Sequence, residues 1–487
     1  MSAPNVVLVC TDQWRADSLS LLGKPVLKTP FLDQLAASGT VATRAYSPAP
    51  TCVPARMSLL SGLAPSSHGR VGYQEGLDFD AAVTMAGSFR DAGYQTQAIG
   101  KMHVHPPRNR AGFDNVILHD GYLHATRQGR PDPRFYDDYA AWLTRVSDRG
   151  AYTDEYENGA HCNAAIAMPW DRPEYQHPTN WATSEAIDWL YRRDPDRPFF
   201  LFLSYHRPHA PYNPPAWAFD MYRDSTFPPA PIGDWEDHHL DSFRADHSPE
   251  AHVARYDDEM RRRALAGYYG NMTHIDVQLR RFTEALADFG LGDDTVICFT
   301  SDHGDMMGDH GMWRKGYPYE GSAAVPMIFA GPGIAAGRRC DALMDLTDVP
   351  ATLLDLAGLP VPDEMDSRSL AAALRTTAPD ADADAGRSFL HGEHAILGQS
   401  LQWIIRGDVK YVWWSATGAE QLFDLSADPD ELHDLVLDGS ALDETTPAGA
   451  ALVDCRRLLV AELAGRPEGY VADGALVLGR PARAMLR

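Results

Sequence analysis

The sequence predicts an α/β protein in which helices cover a central β-sheet, followed by a smaller α+β subdomain near the carboxyl end. Three observations predict this architecture: short apolar runs suited to buried strands, helical patterns between them, and alternating strand patterns late in the chain. At 487 residues the chain exceeds what one hydrophobic core usually supports. We therefore expect a main α/β domain over residues 1–380 and a C-terminal subdomain over 381–487.

Five continuous apolar runs, each ending in polar or glycine residues, have the composition of strands buried on both faces. They lie at residues 5–12, 96–101, 199–206, 295–302 and 325–331. Helical patterns separate these runs, and such alternation is typical of a sheet covered by helices. The predicted helices lie at residues 29–39, 81–93, 258–289 and 346–358.

Two long segments, at about 105–178 and 206–256, are rich in proline, tyrosine and histidine and are predicted to be loops. Loops of this length inside a domain are usually functional. After a linker-like stretch at 376–387, the pattern changes to that of antiparallel strands followed by a helix. These strands are predicted within 388–394, 402–414 and 421–425, and the helix at 448–465.

The net charge, the apolar pattern and the cysteines of the chain argue against several classes of partner and indicate the cellular compartment. The net charge of −24 argues against nucleic acid or an anionic membrane as the main partner. The first residues lack the pattern of a signal peptide, and no apolar window reaches the roughly 18 residues that a membrane span needs. Six cysteines stand without CxxC spacing, so we expect a cytoplasmic protein with no disulfide framework.

Polar residues follow two of the predicted strands. Asp12 and Gln13 come directly after the first strand, and Asp302 and His303 come after the strand at 295–302. Open α/β sheets bind ligands at the carboxyl ends of their strands. Carboxylate, amide and imidazole groups together suit a divalent metal ion. Taken singly, each acidic residue is equally typical of a helix cap or a turn.

Cys52 stands among prolines in SPAPTCVPARMSLLSG, residues 47–62. A thiolate nucleophile usually needs a nearby histidine or a helix N-terminus to lower its pKa. The spacing from Cys52 to Arg56 is shorter than the loop of a cysteine phosphatase. From spacing alone, a buried structural cysteine at the start of a helix fits as well as a nucleophile does.

The segment from Cys52 to Arg56, with Pro54 between them and SLLSG after them, resembles the signature of the type I formylglycine-dependent sulfatases of the alkaline phosphatase superfamily. Further matches stand in family order over most of residues 5–331: DQW at 12–14, GKMH at 100–103, PHAP at 208–211, SDHGDMMGDHG at 301–311, and Lys315. The resemblance implies an alkaline phosphatase-like mixed sheet and an arylsulfatase-like hydrolase of sulfate monoesters.

The resemblance also implies that Cys52 is oxidised to formylglycine by a formylglycine-generating enzyme. One hydroxyl of the hydrated aldehyde attacks sulfur, and collapse of the other back to the aldehyde expels the ester. One divalent ion, Ca²⁺ or Mn²⁺ and less favourably Zn²⁺, activates the nucleophile. The implied ligands are Asp12, Gln13, Cys52, Asp302 and His303.

Five further residues receive roles from the resemblance. Arg56 holds the hydrate, and Lys101 and Lys315 neutralise oxygens of the transferred group. His103 is the base for breakdown of the intermediate, and His209 protonates or stabilises the leaving oxygen.

Several other histidines have alternative interpretations. His206 is an alternative to His209, and His310 beside Asp309 is a further residue that we expect to line the pocket. His391 and His394 in HGEH have the composition of a metal pair, but alternation along a strand explains them as well, and we favour that structural interpretation.

Two departures leave alternatives open. Gln13 and His303 resemble the phosphonate monoester hydrolases and phosphodiesterases of the superfamily, whereas Lys101 and His103 resemble the sulfatases. We expect a sulfate monoester hydrolase that also accepts phosphodiesters and phosphonate monoesters. The alternatives are a phosphonate monoester hydrolase or phosphodiesterase with the same nucleophile, a non-catalytic metal-binding member, and a metal-dependent phosphomutase or alkaline phosphatase relative with a serine or threonine nucleophile. The expected partner is a small anionic ester, and a homodimer or higher homo-oligomer is compatible with the C-terminal strands.

Overall fold

A computed structural model describes residues 3–23, 26–121, 136–149, 158–244, 248–377 and 385–486. The strands within these ranges are β1 (Asn5–Asp12), β2 (Gly39–Ala42), β3 (Ala45–Tyr46), β4 (Gln95–Gly100), β5 (Asn115–Leu118), β6 (Phe199–Pro208), β7 (Thr295–Ser301), β8 (Met327–Ala330), β9 (Arg338–Cys340), β10 (Met344–Asp345), β11 (Leu390–Ile396), β12 (Gln399–Arg406), β13 (Val409–Trp414), β14 (Glu420–Asp424), β15 (Val471–Ala472) and β16 (Ala475–Leu476).

The α-helices within the same ranges are α1 (Pro30–Ala37), α2 (Cys52–Ser61), α3 (Pro65–His68), α4 (Met85–Asp91), α5 (Asp138–Val146), α6 (Pro178–Arg192), α7 (Ala216–Asp220), α8 (Glu236–Leu240), α9 (Asp258–Asp288), α10 (Glu320–Ala323), α11 (Val349–Leu356), α12 (Ala371–Leu374) and α13 (Pro447–Leu463). Short 3₁₀ helices lie at Ser20–Leu22, Glu174–Gln176, Asp241–Phe243, Gly292–Asp294, Asp309–Gly311 and Leu346–Asp348.

The central sheet is mixed and has the strand order β5-β4-β6-β1-β7-β8-β2-β9. Strands β5, β4, β6, β1 and β7 run parallel to one another. Strand β8 pairs antiparallel with both β7 and β2, and β9 pairs parallel with β2. The carboxyl ends of β4, β6, β1 and β7 therefore lie side by side at one edge of the sheet.

Both faces of the sheet are covered, as the continuous apolar runs predict. Successive side chains of a strand point to opposite faces. Val7 and Val9 of β1 accordingly pack in one core cluster with the long helix α9. Val6 and Leu8 pack in a second cluster with α2 and α11 on the other face. Helices on both faces hold the strand ends rigidly in place.

The C-terminal region forms an antiparallel sheet in the order β11-β12-β13-β14. Alternation along β12 directs Leu401, Trp403 and Ile405 toward the main domain, where they pack in one cluster with Trp235. Ile404 points the other way and packs against α13. The C-terminal sheet thus packs between the main domain and α13. This packing brings β11 to the edge of the main sheet.

The predicted architecture is confirmed, namely a mixed sheet flanked by helices with an antiparallel C-terminal sheet and a helix. The predicted strands correspond to β1, β4, β6, β7 and β8, and the predicted helices to α1, α4, α9, α11 and α13. The segments predicted as long loops contain β5, α5, α7 and α8. The predicted domain boundary at 380 lies outside the described residues and stays a prediction.

Candidate active site

The predicted site residues converge at the carboxyl ends of four adjacent parallel strands. Asp12 ends β1, Asp302 follows β7, Lys101 follows β4 and His209 follows β6. Helix α2 begins at Cys52, and this first residue faces the same edge of the sheet. The helix ends before Gly62, whose N–H donates to the Ser58 carbonyl. The arrangement places the site where ligands bind in open α/β sheets.

Asp12, Cys52, Asp302 and His303 form a buried group in which one ligand atom of each lies within 4.8 Å of the others. Cys52 Sγ lies 3.4 Å from His303 Nε2 and 3.6 Å from Asp12 Oδ1. His303 Nδ1 lies 2.9 Å from the Gly304 carbonyl oxygen, which directs Nε2 into the group. Two carboxylates and an imidazole nitrogen are a fitting donor set for a divalent ion.

Gln13 has a left-handed backbone, with φ of 75°. Its N–H donates to Asp302 Oδ1 at 3.1 Å. Its amide nitrogen donates to Asp305 Oδ2, and its amide oxygen accepts from Lys315 Nζ at 2.7 Å. Asp305 therefore fixes which way the amide faces, and sequence analysis did not single out this residue. Ligation of the ion by Gln13 stays a prediction.

Arg56 and Lys101 hold the two carboxylates. Arg56 Nε donates to Asp302 Oδ2 at 2.8 Å, and its Nη1 donates to the Lys101 carbonyl at 2.7 Å. Lys101 Nζ is paired with Asp12 and lies 3.7 Å from Cys52 Sγ. Arg56 Nη2 is buried without a hydrogen-bond partner. One guanidinium donor is therefore left for a ligand oxygen.

His209 and Lys315 form a close pair, with Nε2 and Nζ 2.6 Å apart. The Nδ1 of His209 lies 2.8 Å from the Ala210 carbonyl oxygen, which leaves Nε2 to accept from the ammonium. Burial and the neighbouring Lys315 hold the pKa of His209 well below its usual range. His206 stacks on His209 at 5.3 Å, and its Nδ1 lies 2.6 Å from Arg207 Nη1.

His103 faces the same pocket from the loop after β4. Its N–H donates to Asp120 Oδ1 at 2.9 Å, which fixes the backbone. Both ring nitrogens are buried without a hydrogen-bond partner, and Nε2 lies 3.7 Å from Glu75 Oε1. The ring is therefore available to a ligand.

Burial and the neighbouring charges shift the pKa values of the acidic residues in the site in opposite directions. Burial alone would raise the pKa of Asp12, but Lys101 and other cations outweigh it and hold this pKa well below the usual range. Burial and the proximity of Asp12 raise the pKa of Asp302. Burial and Asp12 would raise the pKa of Cys52, but Lys101 and Lys315 lower it well below that of a free thiol.

The pocket beside Cys52 has a volume of about 200 Å³. Distant segments line it together with the predicted residues, and the additional lining residues include Tyr73, Asn163, His252, Arg314, His394 and Ile396. His394 lies on β11 of the C-terminal sheet, and its Nε2 lies 2.8 Å from the hydroxyl of Thr51, the residue before Cys52. The pocket is thus completed by the subdomain, which the spacing of HGEH alone did not indicate.

Two expectations about histidines are resolved by the structure. His310 does not line this pocket, because its Nδ1 accepts from the Gly233 N–H at 3.1 Å and its ring packs on Trp235. Its neighbour Asp309 pairs with Arg15 at 2.6 Å. His391 Nε2 lies 2.8 Å from Gln402 Oε1, so His391 and His394 do not form a metal pair. This agrees with the structural interpretation that the sequence favours.

A buried carboxylate, imidazole and cysteine group, surrounded by cations at the carboxyl ends of parallel strands, defines a hydrolase site of the alkaline phosphatase fold. The family model described as Sulfatase matches residues 4–359. A model described as N-sulphoglucosamine sulphohydrolase, C-terminal, matches residues 308–446. The chain belongs to the sulfatase family. The predicted enzyme class, a sulfuric ester hydrolase of the arylsulfatase type, is confirmed.

Relatives that cover most of the chain include an arylsulfatase, a multifunctional protein of the alkaline phosphatase superfamily and a phosphonate monoester hydrolase. The chain is 40% identical over 488 residues to an arylsulfatase of Clostridium perfringens (strain 13 / Type A), covering 98% of both chains. It is 32% identical to the multifunctional alkaline phosphatase superfamily protein PehA of Trinickia caryophylli, covering 93% of both. The crystal structure of the phosphonate monoester hydrolase of Agrobacterium radiobacter matches with a TM-score of 0.76 and 26% identity, over 98% of this chain and 100% of that one.

Among the described residues no disulfide joins any of the six cysteines, and all six are buried. In the ranges that the structure describes, no helix combines the length and apolar character needed to cross a membrane.

Proposed function

We propose that this enzyme hydrolyses sulfate monoesters with a nucleophile derived from Cys52. The observation that carries the proposal is the position of this residue, which begins α2 and directs Sγ into the candidate metal group. The Cys52-x-Pro54-x-Arg56 pattern supports conversion to formylglycine by a formylglycine-generating enzyme. When formed, the hydrated aldehyde supplies one hydroxyl for attack and another for release of the product.

The sulfate group is bound by cations that already surround the cysteine. Lys101 Nζ lies 3.7 Å from Cys52 Sγ, and Lys315 lines the same pocket, where it contacts Gln13 and His209. The unpartnered Nη2 of Arg56 is placed to hold an oxygen at residue 52. Cations aimed at the oxygens of the transferred group stabilise charge that develops in the transition state.

Two sets of side chains transfer protons in the proposed reaction: the His209–Lys315 pair and His103. Burial and Lys315 hold the pKa of His209 well below its usual range, so the neutral ring accepts from the Lys315 ammonium, and this ammonium proton is the one available to the leaving oxygen. His103 has both ring nitrogens unpartnered and lines the pocket. It is therefore placed to remove a proton from residue 52 when the product is released.

The donor set fits Ca²⁺ or Mn²⁺ better than Zn²⁺, because oxygen ligands dominate and only one imidazole is present. When bound, the ion supplies Lewis-acid activation of the attacking hydroxyl and holds a non-bridging oxygen of the substrate. Asp12, Asp302 and His303 would hold it, with the oxygen of residue 52 replacing the sulfur, and Gln13 is proposed to complete the set.

Hydrolysis of phosphonate monoesters or phosphodiesters is the second candidate function. It is supported by the structural similarity to a phosphonate monoester hydrolase and by the multifunctional relative. Such esters carry one negative charge, as a sulfate monoester does, and present similar oxygens to the same cations. We propose that they are slower substrates of the same site.

The ranking is tested by kcat/KM for 4-nitrophenyl sulfate and for a 4-nitrophenyl phosphonate monoester, which share a leaving group. The enzyme is co-expressed with a formylglycine-generating enzyme and assayed with Ca²⁺ and with Mn²⁺. We expect the sulfate to be preferred and both activities to be lost in Cys52→Ala. A clear preference for the phosphonate would overturn the ranking. Absence of both activities in correctly matured protein would identify a non-catalytic member instead.

A further inference from the structure

The pocket beside Cys52 contains an arginine that the chemistry of a sulfate monoester does not use. Lys101 is paired with Asp12, and Lys315 contacts Gln13 and His209, so both lysines belong to the group that binds the sulfate. Arg314, the residue before Lys315, also lines the pocket. Its charge has no function in the reaction proposed above.

The guanidinium of Arg314 has no acidic partner. Its Nη1 donates to the Glu250 carbonyl at 3.1 Å, and its Nε is buried without a hydrogen-bond partner. Across the described ranges, no carboxylate lies within ion-pairing distance of it. Arg314 as a whole is half-buried, but burying its Nε without a partner costs free energy that a bound anion would offset.

The backbone directs this side chain into the pocket. Arg314 has φ of 69°, a left-handed conformation that is uncommon for residues other than glycine. It is held there because its N–H donates to Asp305 Oδ1 at 2.9 Å. Asp305 thus anchors Gln13 and the backbone of Arg314 together, which fixes where the Arg314 side chain leaves the backbone relative to the metal group.

The remaining wall suits a ring with polar substituents. Among the described residues, the lining contains no carboxylate, while His252 and His394 line it together with Tyr73 and Ile396. Burial lowers the pKa of His394 to about 3, so this ring is neutral. A volume of about 200 Å³ exceeds the roughly 150 Å³ of a cavity that holds benzene, and therefore accommodates one ring with its sulfate.

We propose that the natural alcohol carries a second anionic group, a carboxylate or a second sulfo group, which Arg314 binds. This inference rests on the proposed sulfatase function and specifies its substrate class. Arginine presents a planar fork of donors that matches either anion. A cationic alcohol is disfavoured, because it would place a positive charge beside Arg314 with no described carboxylate in the wall.

The test compares three esters with a phenol leaving group: 3-carboxyphenyl sulfate, 3-sulfophenyl sulfate and the neutral 3-carbamoylphenyl sulfate. For wild-type enzyme we expect kcat/KM to be about 10-fold or more higher for one of the anionic esters than for the neutral one, mostly through KM. Which anion is preferred identifies the second group. Arg314→Gln is expected to bring the ratio of anionic to neutral kcat/KM close to one, and Arg314→Lys to restore part of it.

Arg280→Gln is the matched control, because Arg280 lies exposed on α9 and, among the residues that the structure describes, forms an ion pair with Glu284 alone. Its ratio is expected to equal that of wild type. Equal kcat/KM for all three esters in wild type, or an unchanged ratio in Arg314→Gln, would overturn the inference while leaving the sulfatase function intact. Hydrolysis of none of the three esters by matured enzyme would instead count against the proposed function.

Discussion

Replacing Asp305 with asparagine is expected to weaken binding of the divalent ion, although Asp305 itself is outside the candidate metal group. Its Oδ2 accepts from the Gln13 amide and from the Tyr212 hydroxyl at 2.7 Å, and its Oδ1 accepts from the N–H groups of Met307 and Arg314 at 3.0 and 2.9 Å. An asparagine at position 305 has a single side-chain oxygen, so it can accept hydrogen bonds from only one of these two sets of donors. Its NH₂ would face the Gln13 amide nitrogen and the tyrosine hydroxyl, so the Gln13 amide is expected to turn over.

The magnitude follows from the bonds that are lost. A hydrogen bond to a buried charged group contributes about 1.5–3 kcal/mol, and loss of a partner that orients a metal ligand typically lowers metal affinity about 10- to 100-fold. We therefore expect the Kd of Ca²⁺ or Mn²⁺ for Asp305→Asn to rise by about 10- to 100-fold. Tyr212→Phe is the matched control, since it removes one donor to the same oxygen but keeps the charge that orients Gln13.

The assay is titration of metal-free protein by isothermal calorimetry, with near-UV circular dichroism to establish that each variant is folded. For Tyr212→Phe we expect a change in Kd of less than about threefold. A folded Asp305→Asn protein with the wild-type Kd would refute the argument that Asp305 orients Gln13 toward the ion.

Three further predictions concern catalysis and stability. Lys315→Met should lower kcat on a sulfate ester by about 10²–10³-fold, and a loss below tenfold in steady-state assays would contradict its role. Gly100→Ala should lower stability by about 3 kcal/mol or more in thermal denaturation, because its Cβ would lie 1.9 Å from the Ser204 carbonyl oxygen. Gly93→Ala, also at positive φ but with no atom within 4 Å, should cost about 1 kcal/mol, and equal losses would refute the steric argument. Burial raises the pKa of Asp276 to about 7 in the folded protein, so its stabilising contribution is present near pH 4 and is lost as the pH rises through 7. The stability of wild type relative to Asp276→Asn should therefore fall over this range by on the order of 4 kcal/mol, and a constant difference would contradict the shift.

The sequence predicted those parts of the fold whose signal is local. Strands buried on both faces, such as Phe199–Pro208, appear as continuous apolar runs, and the end of each run marks the edge of the sheet where the site lies. Strands of two to four residues, such as Gly39–Ala42 and Arg338–Cys340, are too short to show a period, and pairing with their neighbours determines them. They were therefore missed.

The same distinction applies to the site. Asp12, Cys52 and Asp302 belong to motifs that are visible in the chain, and the structure brings them together. His394 lies 343 residues from its partner Thr51, and its position depends on how the C-terminal sheet packs on the main domain. Arg314 is distinguished by its place in the wall of the pocket without an acidic partner there, and only the folded structure shows this position.

The central claim is that residue 52 acts as an aldehyde and no longer as a thiol. Tandem mass spectrometry of the peptide that spans Thr51 to Arg56, taken from the same preparation whose kcat on a sulfate ester is measured, tests it most directly. The account predicts formylglycine at position 52, in a fraction that rises in proportion to kcat across preparations made with and without the maturing enzyme. Full sulfatase activity in a preparation that carries only the Cys52 thiol would contradict it.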